Sequence, residues 1–312
     1  MENDSTVNFA VLGGGKIMPR IVKGIKLAPH AHLYAMGSRD AAKARANAKD
    51  QGADTYGTYD QLLDDPRVQA VYVATYNPGH YDLIAKALAK GKNVISEKPM
   101  VPTAQQVDEL FDMAAAHKVL LMEADKGVFL PLNVRIREMI AQGVFGDIIF
   151  AKASYSYNGQ FADSHWVYDR ATGGSMLDVG VYPVSVLNYL IGQPIAQCQR
   201  QLVDHGGVDG FSLMTIRYAN GVLAEAHSGT IVNTDNVLGI YGTEGYLLCE
   251  HFWKSGHADY WLADGRHELN EPMVSDFTYE VEHFADCVIK GLTESPVMSR
   301  AAQQQIIKVV GK

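Results

Sequence analysis

The sequence predicts an α/β protein in two parts: a parallel sheet wrapped by helices over residues 1–123, then an α/β domain with a mostly antiparallel sheet over 124–312. Three observations predict it. Through roughly the first 120 residues, short β-rich runs alternate with helical ones, and repeated βα units of this kind pair their strands in parallel with helices on both faces. Near residue 124 the texture shifts to longer strand-like runs punctuated by turn signals, "ANG" at 219–221 and "GTEG" at 242–245. Finally, 312 residues with 47% hydrophobic content can bury a large core, and two domains are expected at that length.

The elements follow in order. "VNFAVLG" is a strand, and "KIMPRIVKGIKL" has helical spacing with Pro19 in its first turn. "AHLYAMG" is a second strand, and "DAAKARANAKDQG" a helix closed by Gly52. "VQAVYVAT" is a buried strand before the helix "HYDLIAKALAKG". "KNVIS", "TAQQVDELFDMAAAHK" and "VLLME" continue as strand, helix and strand. Beyond residue 124 come the helix "NVRIREMIAQG" and the strands "DIIFAKASYSY", "FSLMTIRYA", "GVLAEAHSGT" and "NVLGIYG", with helices expected on one side of their sheet. Two helical stretches, "SDFTYEVEHFADCVIKG" and "MSRAAQQQIIKVVGK", end the chain, and their packing is not legible in the pattern.

Composition narrows the function. Against 35 Asp and Glu stand 27 Lys and Arg, a net charge of −8, and no basic run suggests a nucleic-acid or anionic-membrane surface. The amino terminus does not resemble a signal peptide, and no stretch approaches the ~20 apolar residues of a membrane span. Cys198, Cys249 and Cys287 are far apart and form no CxxC pair, as expected of reduced thiols in a cytoplasmic protein. No metal is expected, because no HExxH or HxxEH spacing and no Cys/His cluster occurs; His30 and His32 read as polar side chains facing solvent at a strand entrance.

Four stretches carry chemistry. In "AVLGGGKIM", Gly13 and Gly15 follow a strand and precede a helix, the setting in which glycines let a backbone approach a pyrophosphate. Lys16, Ile17 and Met18 complete this cofactor turn, with Met18 where a third glycine is common. In "AMGSRD", Ser38 and Arg39 stand where an acid would bind the ribose of NAD, and a hydroxyl with a guanidinium suits a 2′-phosphate. NADP is therefore the expected cofactor, with NAD as the alternative; the plainer reading leaves Arg39 solvated and Asp40 as a helix cap. "VYVATYNPGH" and "NVISEKPM" are apolar strands that end abruptly, which gathers Thr75, Asn77, His80, Glu97 and Lys98 around the nicotinamide half of the site. In "GGSMLDVGVYPVS", Asp178 precedes Tyr182 by four residues, and a helix there puts both on one face. The plainer reading is a satisfied core pair.

The order "GGGKIM", "ATYNPGH", "SEKPM", "GGSMLDVGVYP" resembles the Gfo/Idh/MocA family of NAD(P)-dependent oxidoreductases, from about residue 7 to the last helix. The resemblance implies a Rossmann domain and a C-terminal α/β domain with a large open sheet. It implies metal-free oxidation or reduction at a carbinol carbon of a sugar, polyol or diol. It makes Lys98 the catalytic residue beside the nicotinamide and puts Tyr182 at the usual histidine position, similar to the dihydrodiol dehydrogenase and glucose–fructose oxidoreductase branches. Asp178 is expected to pair with or hold Lys98. Relatives pair through the open sheet, so a homo-oligomer, dimer or tetramer, is expected; several have a cis peptide before the proline, expected here at Lys98–Pro99. Two departures bear on substrate: Val128 stands where many relatives have arginine, with Lys126 two residues earlier, and Ser185 where an aspartate is common. The leading expectation is an NADP-preferring dehydrogenase or reductase. The alternatives are a redox sensor that binds a dinucleotide without turnover, and an NAD-linked inositol or sugar dehydrogenase.

Overall fold

Six strands pair in parallel in the computed structural model, which describes residues 6–162 and 164–312. In chain order the elements are β1 (Val7–Leu12), α1 (Met18–Leu27), β2 (Ala31–Gly37), α2 (Ala41–Gln51), β3 (Thr55–Gly57), α3 (Tyr59–Asp64), β4 (Ala70–Val73), α4 (His80–Ala89), β5 (Asn93–Glu97), α5 (Ala104–His117) and β6 (Leu121–Ala124). The spatial order is β3-β2-β1-β4-β5-β6, the doubly wound arrangement of a Rossmann fold, in which ligands bind at the carboxyl ends of the strands where the order reverses. Strand β4 is buried throughout, because a parallel sheet is covered on both faces. Pro19 sits in the first turn of α1, and Gly52, at φ 61°, closes α2. The short β3 and α3 were not anticipated; a capping box at Thr58 and Gln61 defines the start of α3.

The elements continue with α6 (Pro131–Ala141), β7 (Ile148–Ser156), α7 (Val181–Ile191), β8 (Ile195–His205), β9 (Val208–Tyr218), β10 (Leu223–Gly229), β11 (Val237–Gly242), β12 (Tyr246–Glu250), β13 (His257–Leu262) and β14 (Gly265–Asn270). Eight strands form one sheet in the order β14-β13-β12-β11-β7-β10-β9-β8, antiparallel except for the β7–β10 pair. Helix α7 packs on one face of this sheet, over the buried Ala151, Ala153 and Ala226.

Two helices remain, α8 (Thr278–Ile289) and α9 (Arg300–Val310). The chain divides into two units, and the first takes the residues up to Val101, Gln105–Ala124 and also Val274–Gln303. A single boundary after residue 123 thus leaves out one return: α8 folds with the Rossmann unit. Arg20 pairs with Asp276, and His30 contacts Glu282 at 2.5 Å and Asp286 at 3.2 Å, so His30 is part of this junction and not merely solvated. Phe284 of α8 meets Phe9 of β1 at 5.8 Å between ring centroids.

Deeper in that unit, the Tyr72 hydroxyl lies 3.1 Å from Glu97 and 3.0 Å from Glu280, whose residue is 0% exposed. Burial pushes the Tyr72 phenol far up, and the charges of Glu280 and Glu97 push it further, so it stays a donor. Replacing Tyr72 with Phe should lower stability by about 1–3 kcal/mol, because the buried Glu280 and the half-buried Glu97 lose the one donor they share. A urea titration checks this: the midpoint should fall with unchanged slope, and an unmoved midpoint would show that the hydroxyl bridges nothing of consequence.

Candidate active site

Within the Rossmann unit, the strand pairing brings the carboxyl ends of β2, β1, β4 and β5 to one edge, with Leu12 beside both Gly37 and Val73, and Val73 beside Ser96. Gly13 leaves β1 at φ +136°, and a Cβ there would lie 2.2 Å from the Ala74 carbonyl oxygen, so only glycine fits. At Gly15 a Cβ would meet nothing within 4 Å, an open approach to the backbone. Lys16 is exposed, Ile17 half-buried and Met18 buried, so the methionine in place of a third glycine folds into the core. No side chain caps the start of α1.

At the end of β2, Asp40 does cap α2, accepting from Ala42 and Lys43 N–H at 2.8 and 3.2 Å. Ser38 is buried and accepts from Asp40 N–H at 3.2 Å, while Arg39 is exposed. One residue was missed by the sequence reading: Lys43, in the first turn of α2, whose Cε would lie 3.1 Å from a Cβ built on Gly14. Its place four residues after Arg39 at a helix start was the available signal. Asn47, one turn on, would meet the same Cβ at 2.8 Å.

The donor set fits a dinucleotide on an observation of the unit itself. Asn47 Nδ2 beside the glycine turn and Thr75 Oγ1 at the end of β4 are both buried without a hydrogen-bond partner among the described residues. Buried polar atoms are rarely left so unless a ligand or water satisfies them. Asn77 lies half-buried in the short turn Asn77–Gly79, after Tyr76, whose side chain is 67% exposed.

Next along the edge, the half-buried Lys98 follows β5 and is joined to Pro99 by a cis peptide, as expected. His80, expected beside the nicotinamide, has instead committed its ring to the protein. It is 1% exposed, with Nδ1 3.0 Å from the Pro99 carbonyl and Nε2 3.0 Å from the Thr75 carbonyl.

Within the second unit, Asp178 and Tyr182 do not lie one α-helical turn apart as expected. Residues Met176–Gly180 form a π-helical turn, and α7 starts only at Val181. Pro183 explains part of this, because it has no N–H to bond back along the helix and crowds the carbonyl four residues before it. Asp209 explains the rest: its Oδ2 accepts from Met176 N–H at 2.9 Å and from the Ser175 and Ser212 hydroxyls at 2.8 and 2.9 Å.

Asp178 accepts a hydrogen bond from the Tyr157 hydroxyl at 2.5 Å. Burial pushes the Tyr157 phenol far up and the Asp178 charge adds to it, so this phenol is a permanent donor. Tyr182 is 9% exposed, and its ring lies 5.8 Å from that of Tyr155, which stacks on Trp253 at 3.7 Å. The turn at Asp125–Lys126–Gly127 packs on the same stretch of α7, for a Cβ on Gly127 would lie 3.0 Å from Val186 and 3.8 Å from Tyr182. Asp125 is fully buried, accepting from Gly127 N–H at 3.1 Å and from the Ser185 hydroxyl. Where the sequence lacks an aspartate at 185, a carboxylate from the Asp125 turn reaches that helix face. Lys126 is 5% exposed and Val128 1%.

Comparison with known proteins adds the family. The profile of the GFO/IDH/MocA oxidoreductases, described as an NAD-binding Rossmann fold, matches residues 7–124, and that of the GFO/IDH/MocA C-terminal domain matches residues 133–248. The trans-1,2-dihydrobenzene-1,2-diol dehydrogenase of Mus musculus is 30% identical over 293 residues, 89% of this chain and 86% of that protein. Two solved structures share the fold. An aldose-aldose oxidoreductase from Caulobacter crescentus, complexed with glycerol, is 21% identical at a TM-score of 0.87, covering 97% of this chain and 95% of its own. A 3-ketoreductase from Actinomadura kijaniata, in complex with NADP and TDP-benzene, is 23% identical at 0.85, covering 98% and 97%.

The two glycines should separate folding from binding. Gly15→Ala should leave the melting temperature of the ligand-free protein unchanged while weakening dinucleotide binding, whereas Gly13→Ala should lower that melting temperature itself. Thermal melts with and without NADP measure both, and a Gly15→Ala protein that binds normally would place the phosphates elsewhere.

Proposed function

The chain belongs to the GFO/IDH/MocA oxidoreductase family, and from that premise we propose that it is an NADP-preferring dehydrogenase or reductase acting on a carbinol or carbonyl carbon of a sugar, polyol or cyclic diol. One observation carries the reading: the lysine of the turn after β5 shares a sheet edge with a glycine turn and an orphaned threonine suited to a dinucleotide.

Gly13, Gly15 and the following residues to Met18 would hold the pyrophosphate, with Thr75, Asn77, Glu97 and Lys98 toward the nicotinamide. When bound, the dinucleotide supplies the hydride acceptor or donor. In the oxidative direction the substrate's C–H bond breaks with its electron pair, the O–H proton passes to the Tyr182 phenolate, and the C–O bond becomes a carbonyl. Lys98 orients that oxygen and stabilises charge on it. A free phenol has a pKa of about 10, and a nearby ammonium favours its ionised form. Asp178 opposes ionisation of a phenol, and here its charge is engaged by the Tyr157 hydroxyl. The rings of Tyr155 and Trp253 beside Tyr182 support a cyclic substrate, because the C–H face of a ring packs well on an aromatic plane.

The same reading includes a homo-oligomer. On the sheet face opposite α7, Phe150, Tyr241, Tyr246 and Trp261 stack successively at 5.6, 5.9 and 4.7 Å across β7, β11, β12 and β13. With the 44%-exposed Leu223 on the same side, this is an apolar band of the kind that a second copy covers. Free cysteines at 198, 249 and 287, and no described helix long and apolar enough to cross a membrane, fit the proposed cytoplasmic setting.

Three measurements follow. Arg39→Ala should weaken NADP by about 1.5–3 kcal/mol and spare NAD, since only NADP carries the 2′-phosphate. Equal losses for both would remove the proposed role. Tyr182→Phe should leave folding and cofactor affinity in place and cut turnover about 10²–10⁴-fold across a panel of aldoses and cyclic trans-diols. Near-normal turnover would mean that the phenol only packs. Light scattering should report at least a dimer, and Tyr246→Lys should dissociate it; a monomeric parent protein at micromolar concentration contradicts the interface.

A further inference from the structure

We propose that His80 and Glu123 are positioning residues for Lys98, gripping the Pro99–Met100 peptide unit just beyond it. The inference rests on the catalytic reading of Lys98 and adds two residues that do not touch the substrate.

The grip is formed from two sides. His80, first residue of α4, directs Nδ1 at the Pro99 carbonyl and Nε2 at the Thr75 carbonyl, both at 3.0 Å. Glu123 of β6 accepts from Met100 N–H at 2.6 Å. Both are out of solvent, His80 at 1% and Glu123 at 3% exposure. The preceding residue is tied as well, since Glu97 takes the Tyr72 hydroxyl at 3.1 Å. Residues 97, 99 and 100 are therefore each fixed by a different element, and Lys98 stands between them.

Packing alone does not explain these two choices. An aliphatic side chain would fill either place without the cost of burying an ionisable group. Burial pushes the His80 imidazole down; the Pro99 and Thr75 carbonyls push it back up, and the Lys98 charge pushes it down again. Burial raises the Glu123 carboxyl, against the Met100 N–H, Gln303 and the Lys98 charge, which hold it down. A neutral imidazole has one N–H and donates to one carbonyl at a time, so replacements that imitate one nitrogen each separate the two contacts of His80. One contact reaches the lysine turn and the other reaches the end of β4, where Thr75 stands. What the grip secures is direction. Lysine has four flexible carbons, and an amine on a wandering backbone would lose its alignment with the reacting oxygen.

The test uses amides that imitate one imidazole nitrogen each, in the full-length enzyme with NADP and the fastest cyclic trans-diol of the panel. His80→Ala should lower kcat about 10²-fold, the scale of a misaligned catalytic group. His80→Asn, whose amide nitrogen replaces Nδ1 toward Pro99, should recover at least about tenfold of that loss. His80→Gln, which replaces Nε2 toward Thr75, should not. Glu123→Gln keeps an acceptor for Met100 N–H and should exceed Glu123→Ala in kcat, and in all five the Kd for NADP should stay near that of the parent. Lys98→Ala is the reference. If it turns over normally, the catalytic reading of Lys98 fails. If it is inactive while Asn and Gln at position 80 behave alike, with kcat following melting temperature, His80 is only structural and the inference is overturned. Should the His80 variants not fold, an equal kcat for Glu123→Gln and Glu123→Ala overturns it independently.

Discussion

The turn after β5 depends on hydrogen bonds that lie largely out of water. Glu97 meets Tyr72, Pro99 meets His80 and Met100 meets Glu123, so three elements of the Rossmann unit hold one short loop. In water each such bond would be worth little; buried, each is expensive to break, because a lost partner leaves a polar group without solvent. The loop is thereby stiff without being tightly packed by apolar side chains. That stiffness reaches α8, because Tyr72 also meets Glu280, and this is a physical reason for the chain to return to its first unit after Met273.

The second unit solves a similar problem around Tyr182 by different means. Asp209 gathers three donors at the start of the π turn, and Asp178 takes the hydroxyl of a phenol that burial keeps protonated. The helix that carries Tyr182 is anchored at its entry, and Asp125 bonds its Ser185 one turn later. Both units therefore place their polar business at strand or helix ends and support it with buried carboxylates. Such carboxylates are tolerable because each is hydrogen-bonded by groups of its own unit.

Much of this was legible in the sequence, for reasons that particular elements make plain. The central strands β1, β4 and β5 are apolar runs ended by turn residues, and the glycine turn, the lysine before proline and the strand-end threonine follow from them. Strand β8, "IAQCQRQLVDH", was missed because it lies exposed along nearly its whole length, so burial imposed no alternation on it. The short β12 to β14 were missed for a related reason: charged and aromatic residues mix on a face that the fold leaves uncovered. Asp178 and Tyr182 were placed on one helical face by counting 3.6 residues per turn, and Pro183 with Asp209 set a different local pitch. His80 was assigned to the cofactor because it follows a strand end, yet spacing does not reveal which way a ring faces. Lys43 escaped notice because a lysine in an alanine-rich helix reads as solvated until the glycine turn beside it is seen.

The claim on which the account rests is that the turn bearing Lys98 is held closed by Glu123 and its neighbours. Amide hydrogen exchange at Met100 reports on it directly, since that N–H is the donor to Glu123. The account predicts that Met100 exchanges as slowly as the amides of β5, through the same rare openings, and that Glu123→Ala releases it while β5 stays protected. Exchange at Met100 as fast as that of an exposed loop in the parent protein would contradict it, because the lysine would then rest on a turn that opens freely.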